Sequence, residues 1–177
     1  MRMIASDFMT YYRPSLCEMR VFLRQQGEKE AEPSAFEQVL SRLGVQHEKE
    51  HLATLGTYVD LSGVTLGERV LRTLEAITNR VTVIYQPAFQ VNTTISGTDV
   101  EIVGMFDFLI FDGNGYLIRD SKMSRHIDDD SHPEILCKSV YTAGYLKTHM
   151  EPARKAFRFT VARTKSSIFH MMAAYLH

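Results

Sequence analysis

Residues 104–125 read GMFDFLIFDGNGYLIRDSKMSR, which predicts two apolar β-strands joined by a tight turn at DGNG. Branched and aromatic residues favour strands, and glycine and asparagine favour the turn between them. If the central Gly-Asn pair forms a two-residue turn, Asp107 faces Asp120 across the hairpin. Moving the turn by one residue changes that partner but keeps Asp107, Asp120 and Lys122 on one face, because side chains alternate with period two.

Two opposed aspartates in such a hairpin need a compensating charge. Like charges directly opposite each other on neighbouring strands are destabilising, and the flanking residues are almost all apolar. A hard divalent cation fits best, since Mg²⁺ or Mn²⁺ typically takes one or two carboxylates together with substrate phosphate. Lys122, two residues after Asp120, would then orient an attacking water. A structural ion pair between Lys122 and one aspartate has equal weight from the hairpin alone.

A second motif lies upstream, where residues 44–52 read GVQHEKEHL and contain H-E-x-x-H from His47 to His51. On a helix this spacing is typical of zinc metalloproteases, which need a third ligand further along the chain. Glu68 and Glu75 are available, but nothing in the surrounding sequence marks either one. A zinc protease would also leave the two-aspartate hairpin unexplained.

The helix that carries His47 is predicted to begin after Ser34, with Glu37 completing a capping box. Four apolar residues and His47 follow the three- and four-residue spacing of a buried stripe. His47 is therefore expected to point toward the protein interior. The four apolar residues of this stripe are Phe36, Val39, Leu40 and Leu43.

The order of the remaining elements predicts an α/β fold with a mixed sheet. Helices are predicted in residues 16–27 and 66–79, and strands in residues 81–86, 88–94, 100–111 and 115–123. A further helix is predicted from Pro133 to about Lys147, and a last strand in residues 157–161. We expect a single domain with an N-terminal helical segment (1–33), a core (34–165) and a C-terminal tail (166–177).

Composition places the 177-residue chain among ordinary globular proteins, with 45% apolar and 23% charged residues. The sequence has no apolar run long enough for a membrane span and no N-terminal secretory signal. Its two cysteines cannot form a disulfide framework. These features predict a cytoplasmic protein without a membrane partner.

Charge is distributed unevenly along the chain. The net charge is −1, but the residues after Cys137 carry seven basic side chains against Glu151 alone, a balance of +6 that leaves −7 for the rest. A basic C-terminal part beside an acidic centre suits a polyanion held near a metal site. Solvated charges on a helix and an edge strand explain the pattern equally well.

The hairpin motif resembles that of the PD-(D/E)XK nuclease superfamily. Asp107 after Gly104-Met-Phe, followed beyond the turn by Asp120-Ser-Lys122, is similar to the bipartite acid and D-x-K motif of these enzymes. The order of predicted elements also resembles the αβββαβ core of the superfamily. The resemblance covers roughly residues 4–146.

Two further motifs are similar to the RecB-like exonuclease branch, which includes the exonucleases of CRISPR adaptation. The G-x-x-H-E sequence at residues 44–48 resembles the histidine motif of that branch, and Tyr141 is in the place of its Q-x-x-x-Y tyrosine. Cys137 stands where the glutamine is expected. Some relatives hold an iron-sulfur cluster through one N-terminal cysteine, in the place of Cys17, and three near the C-terminus. This chain lacks those three, so an iron-sulfur cluster is not expected.

The resemblance implies a restriction-endonuclease-like core and a DNA nuclease, most simply an exonuclease of repair, recombination or defence, that uses Mg²⁺ or Mn²⁺. Lys122 would position the attacking water, and Tyr141 would contact the substrate backbone or support the site. Four residues would hold the metal, namely His47, Asp107, Asp120 and the backbone carbonyl of Ser121.

Two other functions stay open. One is a non-catalytic nucleic-acid-binding module on the same fold, and the more remote one is the H-E-x-x-H zinc hydrolase. DNA is the expected partner of the binding module, as it is of the nuclease. A homo-oligomer or a larger nucleic-acid-processing complex is also compatible with the sequence.

Overall fold

The computed structural model describes residues 1–4, 7, 17–121, 161–163 and 168–171, the last two ranges as backbone only. Within these ranges the helices are α1 (Glu18–Gln25), α2 (Ala35–Ala53) and α3 (Leu66–Thr78). The strands are β1 (Arg2–Ile4), β2 (Val59–Asp60), β3 (Val83–Tyr85), β4 (Ala88–Ile95), β5 (Thr98–Met105), β6 (Phe108–Phe111), β7 (Tyr116–Ser121), β8 (Val161–Arg163) and β9 (Ile168–Met171).

The starts of α2 and α3 follow capping signals in the sequence. Ser34 precedes α2, and its Oγ accepts a hydrogen bond from the backbone N–H of Glu37 at 3.3 Å. The Glu37 carboxylate in return accepts one from the backbone N–H of Ser34 at 2.8 Å, which confirms the predicted capping box. Thr65 caps α3 in a similar way. None of the helices in the described ranges is long and apolar enough to cross a membrane.

The strands form two sheets, and the protein belongs to the α/β class. The smaller sheet has the order β1-β5-β4, and the larger has the order β2-β3-β6-β7-β9-β8. The β1–β5 and β2–β3 pairs are parallel and the others are antiparallel, so both sheets are mixed. The predicted mixed pairing is thus present, but the strands divide into two sheets instead of one. Strand β7 lies between β6 and β9, and Asp120 is paired with Phe169.

The two sheets share one long hairpin. Strands β3 and β4 pair with β6 and β5 in a single continuous register, although each partner is interrupted midway, at Gln86-Pro87 and at Phe106-Asp107. Hydrogen bonds bridge the interruption, from the Gln86 N–H to the Asp107 carbonyl at 2.8 Å and from the Phe106 N–H to the Pro87 carbonyl at 3.4 Å. We refer to this interruption, residues 86–87 and 106–107, as the hairpin break. The prediction of one strand over residues 100–111 is wrong at this point.

The hairpin break reverses which face the side chains point to. Ile84 and Phe89 both join the hydrophobic cluster against α3, and so do Phe106 and Leu109. Residues separated by an odd number of positions would lie on opposite faces of an unbroken strand. The backbone φ of Gln86 is +54°, a left-handed value that regular strands do not contain, and it accounts for the reversal in the first strand.

Helices α2 and α3 cover opposite faces of the larger sheet. Ala76 and Ile77 of α3 join the cluster that contains Ile84 and Leu109, whereas Leu52 of α2 packs with the next residues along the same strands. Those partners of Leu52 are Tyr85 and Phe108. Only the C-terminal part of α2 reaches the sheet in the described structure.

The predicted buried stripe on α2 is wrong for its four apolar members. Phe36 is 70% exposed, and Val39, Leu40 and Leu43 are also exposed. Helical spacing identifies residues that share a face, but it does not tell whether another element covers that face. Burial on α2 starts at its last turns, where His51 and Leu52 lie.

Several predicted segments differ from the structure or lie outside its described part. Strand β1 begins the segment predicted to be helical, and β9 lies in the segment predicted to be a C-terminal tail. The helix predicted from Pro133 falls outside the described residues, and so do residues 157–160 of the strand predicted over residues 157–161, whose last residue, Val161, begins β8. The helices predicted over residues 16–27 and 66–79 are confirmed as α1 and α3.

Candidate metal and nucleic-acid site

The β6–β7 hairpin brings Asp107 and Asp120 together. Phe108 pairs with Arg119, and Phe111 pairs with Tyr116, which is the register that the Gly-Asn turn predicts. Asp107 is the residue before β6, so the same register leaves it facing Asp120 at the end of the ladder.

The two carboxylates replace the usual backbone acceptors at this end of the ladder. The backbone N–H of Asp107 donates to Oδ1 of Asp120 at 3.2 Å, and the backbone N–H of Ser121 donates to Oδ2 of Asp107 at 2.5 Å. Asp120 is only 5% exposed, whereas Asp107 is half-buried and reaches the surface. The site is therefore a pair of acids with one member open to solvent.

Gln86 connects this acid pair to α2. Its backbone N–H donates to the carbonyl of Asp107, and its side-chain Nε2 donates to Oε1 of Glu48 at 2.5 Å. A left-handed backbone at a residue with a side chain costs free energy and persists only where surrounding contacts impose it. The contact with Glu48 is such a contact, so α2 helps to fix the hairpin break beside Asp107.

Negative charge accumulates around the hairpin break. Burial raises the pKa of the Tyr85 hydroxyl, and a hydrogen bond with Glu48 raises it further. The negative charges of Glu48, Asp60 and Asp107 act in the same direction. Several carboxylates thus lie close enough to influence one phenol, and a local negative potential of this kind attracts cations.

His47 points inward from α2, as predicted, with its Nε2 buried. In the described part of the chain this nitrogen has no hydrogen-bond partner. Histidine, cysteine, aspartate and glutamate residues nevertheless form no group of three or more in the described residues that could hold a metal ion. His47 is therefore not gathered with Asp107 and Asp120 into a ligand cluster there.

His51, the second histidine of the H-E-x-x-H motif, packs against the sheet. Its ring is 7% exposed and lies edge-on to Phe108, with 5.0 Å between ring centroids. Its Nε2 lies 3.4 Å from Nη1 of Arg119. The positive charge of the guanidinium would repel a metal ion at this nitrogen. Glu68, considered as a third zinc ligand, pairs with Arg72 at 2.6 Å on the surface of α3.

The donor atoms at Asp107 and Asp120 suit a hard cation. Mg²⁺ and Mn²⁺ prefer carboxylate and carbonyl oxygens and commonly bind to proteins through one or two carboxylates, with waters and substrate phosphate completing the coordination. Two carboxylates beside the backbone of Ser121 match this pattern. They do not match the nitrogen and sulfur ligands of a structural zinc site.

Other predicted site residues lie outside the described part. Lys122 directly follows the last described residue of β7, and Tyr141 is further along the chain. The structure therefore bears on Asp107, Asp120, Ser121 and His47 only.

The sequence pointed to Asp107 and Asp120 but not to the groups around them. Gln86 had no recognisable signal beyond the proline that follows it, because its left-handed backbone is a tertiary effect. Arg119 had a weak signal in the sequence, because it is a charged residue that directly follows the apolar residues Tyr116-Leu-Ile. Glu48 lies in the G-x-x-H-E sequence at residues 44–48, but nothing local predicts its contact with Gln86.

Compared with protein-family models, with curated proteins and with solved structures, the chain shows no match to any of them.

Proposed function

We propose that this protein is a divalent-metal-dependent deoxyribonuclease with a restriction-endonuclease-like αβββαβ core. The observation that carries the proposal is the placement of Asp107 opposite Asp120 at the end of the β6–β7 ladder. Two acids placed together on apolar strands suit a site where a bound cation offsets their charge. The mixed sheet between helices agrees with the proposed core.

Asp107 and Asp120 would hold Mg²⁺ or Mn²⁺, with the backbone carbonyl of Ser121 and His47 as further ligands. The bound ion would supply positive charge where negative charge develops on the phosphate during hydrolysis. The half-buried position of Asp107 leaves the site open to a substrate, while burial of Asp120 keeps its carboxylate in place. His47 enters this ligand set through the resemblance of its motif, because the described residues do not gather it with the two aspartates.

The remaining roles come from the resemblance of the sequence motifs to RecB-like exonucleases. Lys122 would orient the attacking water, and Tyr141 would contact the DNA backbone. The basic residues after Cys137 would provide phosphate contacts, which dominate the affinity of most DNA-binding proteins. An exonuclease acting in DNA repair, recombination or defence is the most specific form of this proposal.

A second candidate is a DNA-binding module on the same fold that does not cut. It is supported by the hydrogen bonds from backbone N–H groups to both carboxylates, because these give the two acids a structural use without a metal. This candidate predicts DNA binding that weakens with salt and no hydrolysis with any metal.

Nuclease assays on acid variants separate these candidates. Labelled DNA would be incubated with the purified protein and Mg²⁺ or Mn²⁺, using Asp107→Asn and Asp120→Asn beside Asp99→Asn. Asp99 is an exposed aspartate at the start of β5, beside the turn that joins β4 to β5, and it serves as the matched control. We expect losses of at least about 100-fold in the first two variants, because a catalytic metal contributes several kcal/mol to the barrier reduction, and full activity in the third. Equal activity in all three would refute the metal site, and DNA binding without cleavage in the wild type would favour the second candidate.

A further inference from the structure

Arg119 has a half-buried guanidinium that has no acidic partner among the described residues. It lies on β7 opposite Phe108, and its Nη1 is close to the ring of His51. The ion pairs of the described residues all use other arginines. The Nε of Arg119 is buried and has no hydrogen-bond acceptor in the described part of the chain.

Such an arrangement is costly for a protein unless an anion completes it. Charged groups removed from water are normally paired, and an unpaired one weakens the fold. Burial lowers the pKa of Arg119, in line with this loss of hydration. Neither the imidazole of His51 nor the ring of Phe108 can supply the negative charge.

We propose that Arg119 binds a phosphate group between β7 and α2. The planar guanidinium presents several N–H donors in a fork that matches the oxygens of phosphate. In the deoxyribonuclease proposed above, on which this step rests, the phosphate belongs to the DNA backbone. The alternative source of the same chemistry is a free phosphate ion.

The position of Arg119 on the strand indicates which phosphate it would bind. Consecutive residues of a strand point to opposite faces, so Arg119 and Asp120 do not share a face. On this proposal, Arg119 contacts a phosphate other than the one that is cleaved. It contributes to binding and placement of the strand and takes no part in bond breaking.

The test measures binding of a fluorescein-labelled DNA oligonucleotide by anisotropy, in EDTA to prevent cleavage and over a series of KCl concentrations. The variants are Arg119→Met, which keeps the volume and removes the charge, and Arg119→Lys, which keeps the charge and loses the fork. Arg72→Met is the matched control, because Arg72 is exposed and already paired with Glu68.

We expect Arg119→Met to weaken binding roughly tenfold, the size of a lost hydrogen bond to a charged group. The slope of log affinity against log salt should become shallower by a little under one, the contribution of one phosphate contact. Arg119→Lys should keep the slope and show intermediate affinity, and Arg72→Met should match the wild type. The melting temperature of Arg119→Met should not be lower than that of the wild type, since an unpaired charge has been removed.

Two outcomes separate this inference from the proposed function. If the wild type binds DNA and Arg119→Met binds it with the same affinity and slope, the phosphate site is wrong and the nuclease proposal stands. If the wild type binds no DNA, the proposed function fails, and thermal shift with inorganic phosphate decides the site. Phosphate that stabilises the wild type but not Arg119→Met supports a site for free phosphate, and any other result overturns it.

Discussion

Among the described residues, ten buried residues form one hydrophobic cluster on the α3 side of the larger sheet, whereas three buried hydrophobic residues form a separate, smaller one on the α2 side. Besides Leu52, α2 adds polar or charged contacts, which involve Glu48, His51 and Arg119. The two faces of the larger sheet therefore differ in the kind of side chain that they carry. In the described part of the chain, the α3 side holds the larger hydrophobic cluster, and the α2 side carries polar and charged groups, among which the buried Nε of Arg119 has no hydrogen-bond acceptor there.

The largest expected effect compares one leucine on each side. Leu109, which is fully buried, belongs to the α3 cluster, and Leu52 belongs to the α2 cluster. Leucine-to-alanine substitutions in cores cost about 2–5 kcal/mol, and the cost rises with the cavity that remains. In urea unfolding we expect Leu109→Ala to lower the free energy of unfolding by about 4 kcal/mol and Leu52→Ala to lower it by about 2 kcal/mol. Equal losses would show that the two faces contribute equally and would break the comparison.

Tyr116 tests a polar group placed deep in the α3 cluster. Its hydroxyl donates to the carbonyl of Val81 at 2.7 Å, and the carbonyl of Ala76 lies at 3.3 Å. Tyr116→Phe should lower the unfolding free energy by about 1–2 kcal/mol, because a buried carbonyl loses its donor. The measurement is the shift of the urea midpoint at neutral pH, and an unchanged midpoint would contradict the role of the hydroxyl.

Tyr116→Phe also tests how the free energy of unfolding depends on pH. Burial raises the pKa of Tyr116 to about 12, above the value near 10 of an exposed tyrosine. Between these values the unfolded chain releases a proton that the folded chain keeps, so this contribution to stability is complete below pH 10 and is lost as pH rises toward 12. The stability difference between wild type and Tyr116→Phe should therefore shrink over that range. A constant difference would show that the hydroxyl is not held neutral by burial.

The smallest effect on stability is expected from two matched glutamates on α2. Glu48 accepts from Gln86 at the hairpin break, whereas Glu50 accepts from Gln46 at 2.8 Å within the exposed surface of the helix. Glu48→Ala should cost about 1 kcal/mol, the contribution of one hydrogen bond, and Glu50→Ala should leave the urea midpoint unchanged. If the nuclease proposal is correct, Glu48→Ala should also require more Mn²⁺ for half-maximal activity, because Gln86 no longer fixes the backbone beside Asp107. Equal behaviour of the two variants in both assays would exclude that positioning role.

Local signals in the sequence predicted much of this architecture. The capping residues Ser34 and Glu37, the amphipathic segment of α3 and the turn between β6 and β7 all depend on neighbours within a few residues, and all were predicted correctly. Of the turn positions that the sequence left open, the structure has the Gly-Asn turn, which places Asp107 opposite Asp120. The local sequence pattern was sufficient to predict an element wherever contacts between near neighbours in the chain determine its geometry.

The rest depends on contacts between distant segments. The left-handed Gln86 and the face reversal that it produces are imposed by the opposite strand and by Glu48, which is 38 positions away in the chain. The exposure of Phe36 also depends on what packs against α2, and helical periodicity carries no information about that. The pairing of β1 with β5 is still more remote in sequence, since Arg2 is paired with Glu101. Such features come from tertiary packing that overrides local preference.

The unbroken register across the hairpin break couples the lengths of the two strands. Removing one residue beside Gln86 would shift every pair between that point and the Ser96-Gly97 turn, or would send the opposite set of side chains into the α3 cluster. Only a matching deletion near Phe106 would restore both pairing and burial. During divergence, this hairpin should therefore gain or lose residues in compensating pairs, and unpaired length changes should be confined to the turns.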